Sequence, residues 1–97
     1  MNHLNPPDEW RILGETLSSW NAEDMEGALS QLARDLEDTK LEVLVNFLES
    51  ILASELRSDE YASLLEQSGT DLIFRPKGDR RRAWREFFFE TKQALTR

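Results

Sequence analysis

Residues 68–79 read "SGTDLIFRPKGD", and the reading of this stretch decides the fold. Gly69 and Pro76 bracket a short apolar patch, Leu72-Ile73-Phe74, opened by Asp71 and closed by Arg75. On both sides of it the apolar residues recur at helical spacing. No alternating apolar and polar run elsewhere exceeds this patch, so a strand here would find no sheet to join. The stretch therefore reads as a short extra helix or turn at residues 70–75, set between longer helices.

Just before it, Ser58-Asp59-Glu60 is a helix start, Tyr61, Leu64 and Leu65 give that helix an apolar face, and Gly69 is a natural C-terminal stop. Just after it, Asp79 can cap a last helix that carries Trp84, Phe87, Phe88, Thr91 and Leu95 on one side. Further upstream, Asn5-Pro6-Pro7-Asp8-Glu9 has a capping Asn, prolines for a first turn and acids suited to the helix dipole. Trp10, Leu13, Leu17 and Trp20 follow at helical spacing. A second helix is predicted from Asn21, with Glu23 and Asp24 in its first turn and Met25, Leu29, Leu32 and Leu36 as its stripe. A third, capped by Asp38 or Thr39, buries Leu41, Leu44, Val45, Leu48, Ile51 and Leu52, with Leu56 one turn on. Val43 and Phe47 lie off that stripe, which predicts broad burial for this helix. The expected architecture is all-α: a single domain over residues 1–97, built as a bundle of four to five helices.

The chain has 97 residues and no Cys, which excludes disulfides, iron–sulfur clusters and thiolate zinc sites. The N-terminus MNHLNPPDEW lacks the basic start and apolar run of a signal peptide, and no apolar run approaches the roughly 20 residues that span a bilayer. A soluble cytoplasmic protein without membrane contact is expected. Charge is unevenly spread. Residues 1–74 hold 16 acidic and 4 basic side chains, a balance of −12, and residues 75–97 hold 3 acidic and 8 basic, a balance of +5. The acidic body should attract a basic partner and repel nucleic acid.

No catalytic constellation emerges, and an enzyme is not expected. The only His, His3, stands in an N-terminal tail, so neither a Cys/His pair nor a Ser/His/Asp triad can be assembled plausibly. The four Gly are scattered rather than grouped into a phosphate loop. Glu23/Asp24 and Asp59/Glu60 are adjacent acids at helix starts, where capping and dipole complementation explain them better than acid–base chemistry. No EF-hand spacing occurs, and neither a cofactor nor a metal site is predicted. The sharpest charge feature is Arg80-Arg81-Arg82 with Trp84 and Arg85, a basic run with an interleaved aromatic that could touch phosphates. Cations at a helix start oppose the dipole, at a few tenths of a kcal/mol each, so Asp79, Glu86 or the acidic body should answer them.

Residues 68–79 resemble the signature of the colicin/pyocin DNase immunity proteins, in which a Ser-Gly-Ser-Asp-Leu-Ile-Tyr-Tyr-Pro segment forms a short helix before a loop and a final helix. Phe74 stands where that pattern has its first Tyr, Arg75 where it has the second, and the Arg run replaces an acidic loop. The resemblance is close over about a dozen residues and extends by pattern to the C-terminus; the N-terminal half is not covered. It implies a small helical protein that binds a cognate toxin beside its active site, a nuclease domain of a bacteriocin or of a contact-dependent inhibition effector. An acidic inhibitor of a basic nuclease fits the charge independently. As a recognition platform, the stretch would offer the Asp71 carboxylate, the Phe74 ring and the Arg75 guanidinium, with Glu60 and Glu66 tuning which toxin is accepted. Leu72 should point inward, with Ile73 beside it, while Phe74 either points inward with them or is partly exposed. The alternative is a nucleic-acid-binding or regulatory adaptor that uses the Arg80–Arg85 cluster.

Overall fold

The structure, a computed structural model, describes residues 4–19, 25–71, 74–75 and 78–96. Five helices follow one another: α1 (Glu9–Ser19), α2 (Met25–Asp35), α3 (Asp38–Ala53), α4 (Ser58–Gln67) and α5 (Arg80–Thr96). No strand occurs among the described residues. The all-α bundle expected from the spacing is therefore the fold.

α1 starts later than the sequence suggested. Asn5 and Pro6 each precede a proline, and a residue in that position is driven away from helical backbone. The helix begins only at Glu9, after Trp10 N–H has bonded the Pro7 carbonyl at 3.0 Å and Arg11 N–H the Asp8 carbonyl at 3.1 Å. Trp20 and the expected capping segment Asn21–Asp24 lie outside the described residues. α3 takes Glu37 as its N-cap and has Asp38 in its first turn, with no side-chain cap. Leu56 does not extend α3, which ends at Ala53, yet it is buried in the corner that follows.

α5 packs on α2, α3 and α4, while α1 covers α2, α3 and α4. Between them lies one apolar cluster drawn from every helix, with Trp10, Leu29, Leu48, Tyr61 and Phe88 all essentially buried. Trp10 stacks on Phe88 and meets Phe47 edge-on, with ring centroids 6.1 and 4.9 Å apart. Its indole N–H donates to the Leu64 carbonyl at 2.7 Å, so the deepest aromatic also satisfies its polar atom. Phe47 joins this core as the broad burial of α3 predicted, whereas Val43 stays 41% exposed. The Cα radius of gyration, 12.5 Å, matches the value of about 12.5 Å expected for a compact chain of this length. No described helix is long and apolar enough to cross a membrane.

Candidate binding surface at residues 68 to 75

α4 ends where the sequence placed its stop. Ser68 is the C-cap, and Gly69 follows with φ +76°, a left-handed conformation that glycine adopts without steric cost. Gly69 N–H closes the turn on the Glu66 carbonyl at 3.0 Å. Ser68 is buried and its hydroxyl donates to the Leu65 carbonyl. The chain then leaves α4 against α1. A Cβ on Gly14 of α1 would collide with the Ser68 carbonyl, so only glycine lets the helix and this turn approach so closely.

One turn further along α1, Ser18 holds the next residues. Its hydroxyl donates to the Gly14 carbonyl at 3.0 Å. Its lone pairs then accept the Asp71 N–H at 2.7 Å and the Thr70 hydroxyl at 3.0 Å. A serine hydroxyl offers one donor and two acceptor positions, and this arrangement uses all three. Asp71 is thus anchored by its backbone while its side chain remains exposed.

Leu72 and Ile73, expected to face the core, lie outside the described residues, as do Pro76 and Lys77. Thr70, Asp71, Phe74 and Arg75 carry no helix, so the described part of the stretch is a connection. Phe74 is half-buried, its ring 4.7 Å from Trp84 and 4.8 Å from Phe87, centroid to centroid. It belongs partly to the core and partly to the surface. Arg75 is exposed beside it. Together with Ser58, Asp59, Ala62, Arg80 and Trp84 these two residues line an open hollow of about 640 Å3.

The other two expected contact residues are placed differently. Glu60 accepts the Arg57 N–H at 3.0 Å and pairs with its guanidinium at 3.5 Å, with only 14% of its side chain exposed. Its carboxylate closes the first turn of α4 and is not displayed. Glu66 is exposed but lines a separate hollow with Pro6, Asp8, Arg11 and Glu15 of the N-terminal segment and α1. The structure therefore gathers Phe74 and Arg75, and sets Asp71 on the α1 side of the same stretch. It adds Asp59, which the sequence reading did not assign to a site, and Arg80, which that reading placed only in the alternative basic cluster. The α1 residues that hold the stretch, Gly14 and Ser18, were also missed. Their one signal was a glycine inside a helical pattern followed four residues later by another small side chain.

The Arg run at the start of α5 divides into distinct roles. Asp79 caps the helix through its carboxylate, which accepts the Arg82 N–H at 3.2 Å, as the sequence suggested. Arg82 pairs with Glu86 at 3.2 Å. Arg85 reaches across to the end of α3 and donates to the carbonyls of Leu52 at 2.8 Å and Ser54 at 3.3 Å, and to the Tyr61 hydroxyl at 3.2 Å. α3 has no basic residue in its own last turn, so a cation from α5 supplies the charge that its exposed carbonyls favour. Arg80 and Arg81 are exposed and have no carboxylate partner among the described residues.

Comparison with protein-family models, with curated proteins and with solved structures finds no match to this chain, so the family resemblance of residues 68–79 rests on those residues alone. Among the described residues no group of His, Cys, Asp and Glu is arranged to hold a metal.

Proposed function

We propose that the protein is an immunity protein that binds and neutralises a cognate toxin in the cytoplasm of the producing cell, the toxin being the nuclease domain of a bacteriocin or of a contact-dependent inhibition effector. The observation that carries this reading is how residues 68–71 and 74–75 are mounted. They are fastened from behind, by Ser18 at Asp71 and by Trp84 and Phe87 at Phe74, while the Asp71 and Arg75 side chains are left in solvent. A stretch that served only to join two helices would need no such backing. Holding the Asp71 backbone and the Phe74 ring before a partner arrives lowers the ordering cost of binding, which favours tight inhibition.

In this reading Asp71 and Arg75 make charge-assisted contacts, and the open side of the Phe74 ring receives an apolar group. Asp59 and Arg80 extend the contact around the hollow, and Glu66 reaches the partner only along its α1 edge. Glu60 acts by fixing the first turn of α4. The balance of −12 over residues 1–74 speeds encounter with a basic nuclease. A nucleic-acid adaptor is less well supported, because Arg82 and Arg85 are engaged within the chain. Arg80 and Arg81 are few charges with which to hold a polyanion against the acidic body.

The test starts from the gene immediately upstream: the reading expects it to encode a large secreted protein, whose C-terminal domain is then co-expressed with this chain, and an unrelated neighbour counts against it. Cells carrying both should grow, and the two chains should elute as one complex with nuclease activity suppressed. Asp71→Ala and Arg75→Ala should each weaken the complex by about 30-fold, the effect of a hot-spot residue worth about 2 kcal/mol. If the wild-type chain fails to protect, the immunity reading is wrong. If it protects and the double variant protects equally, the platform lies elsewhere on the molecule.

A further inference from the structure

Along α5, Arg81, Arg85, Phe89 and Lys92 recur at i, i+4, i+8 and i+11, which sets them in one stripe down the helix. With Leu52 of α3, and with Asp79, Arg82 and Glu86, they line an open groove of about 660 Å3 beside the α3–α5 contact. The groove shares no lining residue with the Phe74–Arg75 hollow.

Two features separate it from the rest of the surface. Phe89 is 47% exposed, and it and Val43 are the only large apolar side chains so open among the described residues. The charged lining holds four cations and two carboxylates, on a protein of net charge −7. Its sign is therefore inverted relative to the body. The cations are not equivalent: Arg85 is tied to the α3 carbonyls, Arg82 to Glu86 and Lys92 to Glu49 at 3.3 Å. Arg81 alone among them has a side chain engaged neither by a carboxylate nor by a hydrogen-bond acceptor among the described residues.

We propose that this groove is a second docking surface, and that its occupant is an acidic amphipathic helix of a partner protein. That helix seats one large apolar side chain between Leu52 and Phe89 and presents a carboxylate to Arg81, whose planar guanidinium suits bidentate pairing. From Arg81 to Lys92 the stripe runs about 16 Å, so three turns of a bound helix lie along it. Charge complementarity selects the occupant. A duplex of that length would bring roughly ten phosphates, at one per about 1.7 Å, to a groove with a surplus of two positive charges beside an acidic body. A duplex backbone would also leave Phe89 without an apolar partner. An acidic helix with one anchor matches both the small surplus and the open ring.

The inference does not depend on the immunity reading, and it is tested without any toxin. The probe is an amidated helical peptide of about four turns, with one central Phe flanked by Glu at one helical turn on either side. A second peptide carries Lys in place of Glu, and a short DNA duplex is the third probe. Each is titrated into the isotopically labelled full chain at physiological salt, with amide and Arg side-chain resonances followed and affinity read by fluorescence anisotropy. The acidic peptide is expected to shift Leu52, Arg81 and Phe89, and to bind at least tenfold more tightly than the Lys peptide and the duplex. Phe89→Ser and Arg81→Glu should each weaken it at least tenfold, and Phe89→Leu should retain it. Both positions are exposed, so thermal melts of these variants should overlay the wild type. Three results overturn the proposal: shifts absent from these residues at the highest peptide concentration, undiminished binding by Phe89→Ser, or tighter binding of the duplex through the same residues.

Discussion

The two ends of α4 solve the same problem in opposite ways. At its start, the corner from α3 is closed by a long cation: Arg85 of α5 gathers the Leu52 and Ser54 carbonyls and the Tyr61 hydroxyl, and Glu60 holds the Arg57 N–H. The charges of Arg85 and Glu60 are consumed within the fold. At its end, the chain is held by small groups, the missing Cβ of Gly14 and the hydroxyl of Ser18, both on α1. Those attachments use only backbone atoms of the 68–71 turn, apart from the Thr70 hydroxyl, so the charged side chains of Asp71 and Arg75 remain free. A charge spent on tying a corner is lost to partners. A corner tied by its backbone can present its charges.

The largest way to break this comparison is at Gly14. In an exposed helix Gly→Ala would gain about 1 kcal/mol. Here the added Cβ meets the Ser68 carbonyl, so Gly14→Ala should lose stability, and Gly14→Leu should lose about 3 kcal/mol or more by overpacking. Urea melts of both variants decide the sign; a stabilised Gly14→Ala would show that the turn does not sit against α1. Next comes Arg85. Arg85→Met keeps the apolar stem but removes every donor from the α3 carbonyls, and a loss of about 2 kcal/mol is expected, as for hydrogen bonds from a charged group. Arg80→Met and Arg81→Met, without partners, should each stay within about 0.5 kcal/mol of wild type. Equal effects from all three would mean that the Arg run acts as undivided charge.

Ser18→Ala sharpens the comparison at smaller cost. It removes one acceptor for two donors in a part-exposed site, so stability should fall by about 1 kcal/mol. Amide exchange at Asp71 should quicken while exchange in the middle of α3 is unchanged, a local loosening that a global effect would not produce. The smallest expected stability change is for Asp71→Ala, within about 0.5 kcal/mol, because its exposed side chain has no packing to lose. Unfolding by this variant would place its carboxylate among the supports of the turn.

The helices, their apolar faces and the stop at Gly69 were determined by the sequence alone, because helical periodicity and capping act within a few residues of one another. Trp10, Leu64, Phe88 and Leu95 declare their burial by spacing. The resemblance of residues 68–79 likewise needs no structure to be read. Three things were decided only by tertiary contact. Arg85 was indistinguishable from Arg80 and Arg81 in a run of like charge until α5 packed on α3 and put one guanidinium over its terminal carbonyls. Glu60 counted as a displayed acid until its carboxylate turned back onto Arg57. Gly14 and Ser18 stand more than fifty residues from the turn that they hold, and a contact of that separation leaves no mark on local spacing. Which charges remain free to meet a partner depends on which ones the fold has already neutralised, and that is set by the packing of distant helices.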